Sequence, residues 1–139
     1  MPRVSKPRYE DARLLMELAK QTQNETFMKA RGWWFANLPE DPPMKLGDFE
    51  NKWPEGSEGS VMFGIVSSHF ETAGVLVKHG LLNEDLYFDR YMVEPYWDRA
   101  KAIVQEERAK WDPTIAENFE WLARHAGEWR RKHAARKRR

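Results

Sequence analysis

Residues 57–79 hold the feature that most limits how this 139-residue chain can fold. Between Ser60 and Lys78 the only charged side chain is Glu71. At helical spacing, Met62, Ile65 and Leu76 mark one face and Phe63, Val66, Phe70 and Val77 another. A helix apolar around most of its circumference belongs where other helices surround it. Gly64, Ser67, Ser68, Ala73 and Gly74 are small enough to let neighbouring backbones come close. Ser57 or Ser60 supplies the N-cap, and Gly80 the left-handed stop. The longest unbroken apolar run falls well short of the roughly 20 residues of a membrane span. The opening Met-Pro-Arg-Val-Ser-Lys has no apolar core for a secretory signal. The expectation is a cytoplasmic domain with no membrane span, built around this helix.

The flanking sequence reads as helix too. Ser5 is a candidate cap for a first helix, in which Leu14, Leu15 and Leu18 form a stripe. The polar run Gln21-Thr22-Gln23-Asn24 weakens the periodicity before Phe27, Trp34 and Leu38 resume it. Pro39, Pro42, Pro43 and Pro54 make 39–59 irregular, with a short helix expected from Asp48 to Trp53. Asn83 caps a helix read through Leu86, Trp97 and Val104 to Trp111, which Pro95 either kinks or divides. Asp112 and Pro113 mark the start of a last helix, whose seam is Ile115, Phe119, Leu122, Ala126 and Trp129. No segment alternates with a period of two. These signals predict an all-α compact bundle of four to five helices around a central apolar helix at about 57–79, with one irregular loop at 39–59. Residues 1–129 are expected to form one domain and 130–139 a basic tail.

Charge is unevenly spread. The tail holds Arg130, Arg131, Lys132, Arg136, Lys137, Arg138 and Arg139 and no acid. Without these seven, 16 basic residues face 22 acidic ones, so residues 1–129 carry about −6. Cations suit a helix C-terminus; the same seven residues are candidate phosphate contacts for nucleic acid or an anionic surface. Seven tryptophans are more than so small a core fully buries. Trp121 falls off the last helix's seam, so Trp121, Trp129 and Arg124 are candidates for an interface with a second copy or another protein.

Several chemistries are excluded. With no cysteine there is no disulfide, thiolate metal site or cysteine nucleophile. Di-iron bundles place Glu three residues before His; here the residues three before the four histidines are Val66, Leu76, Leu122 and Arg130. No metal and no cofactor is expected. The carboxylate pairs Glu117 and Glu120, Asp85 and Asp89, and Glu106 and Glu107 read as solvated helix faces, so no catalytic residue is assigned. His69 and Glu71 are two apart, on nearly opposite sides of a helix.

The stretch 69–122 resembles a bacterial family of short helical proteins of unassigned function. The family pattern runs Phe-Glu-x-x-Gly-x-Leu-Val-x-x-Gly-Leu, an acidic helix start, a Trp in mid-helix, an Arg near its end and an Asn-Phe-Glu-x-Leu segment. This chain has Phe70-Glu71, Gly74-Val75-Leu76-Val77, Gly80-Leu81, Asp85-Leu86, Trp97, Arg108 and Asn118-Phe119-Glu120-Trp121-Leu122. The resemblance covers about half the chain and carries over no catalytic residues. Some relatives look membrane-tethered through an N-terminal hydrophobic helix, and residues 1–38 here contain no such span. It suggests a buried ion pair between Glu71 and Arg108 that locks two helices in register.

Three functional expectations follow. The first is a non-enzymatic helical module acting through self-association or contact with another protein. The second is nucleic-acid or anionic-surface binding through 130–139. The third is a small-ligand or enzymatic pocket lined by His69, Glu71 and Trp97.

Overall fold

The computed structural model describes residues 6–137. Its helices are α1 (Tyr9–Thr22), α2 (Glu25–Asn37), α3 (Leu46–Lys52), α4 (Glu58–Lys78), α5 (Glu84–Arg90), α6 (Glu94–Lys110) and α7 (Glu117–Lys137). Among the described residues there is no strand, only an isolated bridge between Glu40 and Pro43. The fold is all-α, with seven helices among the described residues where four or five were expected. The difference has local causes. Asn24 accepts the Phe27 N–H at 2.8 Å, so the polar run ends α1 and caps α2. The short helix expected from Asp48 to Trp53 is present as α3, which buries Leu46 and Phe49 and adds nothing to the difference. Pro95 stands in the first turn of α6, where its missing N–H costs nothing, and so divides the 83–111 segment rather than kinking it. The expected cap Ser5 lies outside the described residues.

The helix α4 packs chiefly against α7 and α2. Met62, Val66, Phe70, Ala73 and Val77 are buried. Trp34 of α2, fully buried, stacks on Phe63 with ring centroids 4.9 Å apart, and Phe70 stacks on Phe119 of α7 at 5.0 Å. By length and composition α4 also meets the requirement for crossing a membrane; here its inner face is committed to the core. The enclosure is not complete on every side, however. Val61, Gly64, Ser68, Thr72 and Val75 remain exposed along one outer stripe. Gly80, at φ +74°, ends the helix in the left-handed region as expected.

The last helix departs from its sequence signals at both ends. Asp112 does not cap it: Asp112 accepts the Thr114 N–H at 2.8 Å and its hydroxyl at 2.7 Å, and the chain turns through 113–116 with Ala116 at φ 53°. The helix then starts at Glu117 and runs unbroken to Lys137.

The backbones of α4 and the start of α7 approach closely at Gly74. A Cβ there would collide with the Asn118 carbonyl. Gly74→Val is expected to cost about 2–3 kcal/mol through overpacking, measured by denaturant unfolding. Gly32→Ala, at an open helical position with nothing within 4 Å, should instead gain up to about 1 kcal/mol.

Candidate functional site

Two groups of side chains carry the chemistry expected from the sequence, and both are anchored on α4. The first lies at its junction with α7. Glu71 projects from the same side of α4 as Gly74, three residues on. Its Oε1 accepts the N–H groups of Asn118 and Phe119, each at 3.0 Å, and its Oε2 accepts the Asn118 side-chain amide at 2.7 Å. Glu71 therefore caps α7 from another helix, taking the amides that Asp112 leaves unbonded and placing an anion at the positive end of the dipole.

The ion pair expected between Glu71 and Arg108 does not form. Arg108 gives its Nε–H to the Ile115 carbonyl at 2.8 Å and pairs through Nη1 with Glu120 at 2.6 Å. The Glu71 carboxylate is occupied by α7 amides. Glu120 also takes Arg124 at 2.9 Å. Burial alone would raise the Glu120 carboxyl, but the bond and charge of Arg108, reinforced by Arg124, hold it below its usual range. Trp97 packs edge-on against Phe119 with centroids 5.1 Å apart, with Arg108 over its ring. These residues hold α4, α6 and α7 in register by a hydrogen-bonded cap and a separate ion pair.

The second group surrounds His69, which is 94% shielded from solvent. Its Nε2 lies 3.3 Å from the Tyr87 hydroxyl, and its Nδ1 is buried without a partner. Phe27 and Tyr91 flank the ring, each with centroids 5.4 Å away. Desolvation lowers the His69 pKa from 6.5 to about 4, so the imidazole is neutral at physiological pH. His69 borders two hollows. One, of about 490 Å³, runs along the outer side of α4 beside Asn24, Thr26, Gly64 and Ser68. The other, of about 230 Å³, lies toward α2 and the α5–α6 turn.

The expected pocket of His69, Glu71 and Trp97 is not assembled. Trp97 borders a different hollow, of about 330 Å³ between α6 and α7, together with Arg124 and Arg131. Glu71 is spent on the α7 cap.

The candidate interface and tail residues are also partly committed. The Trp129 indole N–H donates to Asp85 at 2.7 Å, tying α7 to α5. Trp121 is half-buried and stacks on His125 at 3.9 Å. Arg130 is not a free tail cation. It bonds Glu94 at 2.8 Å and donates to the carbonyls of Phe88 at 3.3 Å and Tyr91 at 2.8 Å, closing the α5 C-terminus. Burial would raise the Glu94 carboxyl, but the Arg130 contacts outweigh it and leave it below its ordinary range. Arg131, Lys132, Arg136 and Lys137 are exposed along α7; Arg138 and Arg139 lie outside the described residues. Among the described residues no three His, Asp or Glu side chains gather as a metal site would require.

Sequence reasoning missed Asp11. It is buried in α1, accepting the Arg8 N–H at 2.7 Å and the Asn83 N–H at 2.8 Å, and so links α1 to the start of α5. The available signal was an acid three residues into a helix; its second partner is 72 residues away.

A model of the family described as Domain of unknown function (DUF4760) matches residues 16–129. The chain belongs to that family. No curated protein and no solved structure matches it. The DUF4760 match takes in Glu71, Gly74, Arg108 and Glu120 and stops one residue short of Arg130.

Two measurements test this geometry. Glu71→Gln should cost about 1–2 kcal/mol, because a charged cap on two helix amides becomes neutral; denaturant unfolding reads it. Between pH 6.5 and 4 the unfolded chain binds a proton at His69 that the folded state refuses. Stability therefore falls as pH drops through that window and is independent of His69 above it. At about 1.4 kcal/mol per pH unit, the loss reaches about 3 kcal/mol. The pH profile of His69→Gln should lack that part of the slope.

Proposed function

We propose that this chain is an interaction module whose contact surface is the outer stripe of α4, and that two copies pair there antiparallel. The observation that carries the reading is the symmetry of that stripe about Ser68. In an antiparallel pair centred on Ser68, Val61 meets Val75, Gly64 meets Thr72, and Glu58 at one end meets Lys78 at the other. The same surface patch thus serves both partners, as a two-fold interface requires.

The physical chemistry of the stripe agrees. Val61 is 51% exposed and Val75 37%, so the stripe has an apolar residue near each end. Gly64, Ser68 and Thr72 recur every fourth residue, so two backbones can approach closely along them. A side chain added at Gly64 would meet nothing within 4 Å, so the space belongs to no other part of the chain. Val61, Ser68 and Val75 are seven apart, the spacing of a helix–helix seam. The 490 Å³ hollow flanks this stripe and offers room for the neighbour's ridge. The end charges are engaged only in exposed contacts, Glu58 with Lys29 at 3.6 Å and Lys78 with Asn118 at 3.3 Å, which are weak enough to yield.

Light scattering across about a hundredfold concentration range tests the pairing. The expected mass rises to twice that of one chain. Ser68→Glu sets two carboxylates face to face on the axis and should return the protein to one chain with an unchanged melting temperature. Lys78→Glu should weaken the pair, and adding Glu58→Lys should restore it. A chain that remains single at every concentration, or a Ser68→Glu variant that still pairs, rules out this surface.

A further inference from the structure

The smaller hollow at His69 is edged by positive charge. It is bordered by Arg31 of α2 and by Arg90 at the end of α5, with no carboxylate among its lining residues. Neither arginine joins an ion pair among the described residues. Arg90 lies over the Tyr91 ring, 4.8 Å from its centroid, and Arg31 stands close enough to the Tyr96 hydroxyl to counter the upward push of burial on that phenol. Residues 1–129 carry an excess of acid, and within them two guanidinium groups outside any ion pair border this one hollow. Arginine is the side chain whose planar fork matches a carboxylate, and stacking on an aromatic ring holds it ready to bind.

The remaining walls are aromatic or neutral. Phe27, Tyr91 and Tyr96 present ring surface. The Tyr91 hydroxyl is already engaged with Thr22 at 3.0 Å. His69 also borders the hollow; one of its ring nitrogens lies 3.3 Å from the Tyr87 hydroxyl and the other is buried without a partner. The volume of about 230 Å³ lies below the roughly 300 Å³ at which pockets for drug-sized molecules begin.

We propose that this hollow is a binding site for a small aromatic carboxylate. The carboxylate is held between Arg31 and Arg90, the ring lies against Phe27, Tyr91 and Tyr96, and a polar ring substituent reaches His69. The site does not depend on the pairing of α4, because both arginines lie outside that stripe.

Isothermal titration of the full chain with benzoate, 4-hydroxybenzoate, inorganic phosphate and benzylamine tests the site. Both carboxylates should bind with dissociation constants at or below about 1 mM, and 4-hydroxybenzoate should bind more tightly. Phosphate, which lacks the ring, should bind more weakly than either, and benzylamine, which reverses the charge, should not bind. Arg31→Gln and Arg90→Gln are surface changes that should leave the melting temperature unchanged. Each should weaken 4-hydroxybenzoate at least about tenfold, and the double variant should abolish its binding. No binding of either carboxylate up to about 10 mM overturns the proposal. So does binding that survives in the double variant, or benzylamine binding as well as benzoate.

Discussion

The fold turns on one carboxylate. Glu71 stands on a helix with almost no other charge, and its two oxygens hold the first amides of α7. That contact can form only because Gly74, one turn further along α4, has no side chain to keep the α7 backbone away. A partly buried carboxylate is costly unless it is bonded, and a helix start is costly unless its amides are. Each requirement meets the other here, which ties the two longest helices together at a defined height. The Phe-Glu-x-x-Gly run of α4 thus has a mechanical meaning: ring stacking by Phe70, capping by Glu71 and close approach at Gly74.

From that junction the other polar contacts follow in order. With α7 placed, Arg108 and Glu120 meet beside Trp97, Trp129 reaches Asp85, and Arg130 arrives over the last carbonyls of α5. An apparent basic tail is therefore partly a structural strap. Arg130 closes a short helix end, while the cations beyond it extend along a surface helix. Of the carboxylate pairs read as solvated faces, one member of each is engaged: Asp85 accepts an indole, Glu106 accepts the Leu46 N–H at 2.6 Å, and Glu120 bridges two arginines. The outer stripe of α4 and the pair of arginines near His69 are among the groups left uncommitted, and the functional proposals rest on those two places.

The all-α class and the inner face of α4 were legible because they are set by short-range rules. Apolar residues at helical spacing, an asparagine or serine before a helix, a proline in a first turn and a glycine after a last one act within a few residues of one another. Ser57, Asn83 and Gly80 do what their local sequence says. The same rules left the number of helices open, since Asn24 and Pro95 each permit either continuation or a break, and packing chose the break.

The sequence could not say which polar group meets which. The amides of α7 take Glu71, 47 residues away, instead of nearby Asp112, because a cap from an adjoining helix also fixes that helix in place. Arg108 goes to Glu120 for the same reason: Glu71 is already filled. Charge, period and capping residues determine that a chain like this forms helices and that one of them is largely apolar. Only the assembled fold decides where that helix is covered and where it stays open, because coverage depends on contacts between residues far apart in the chain, which no local pattern encodes.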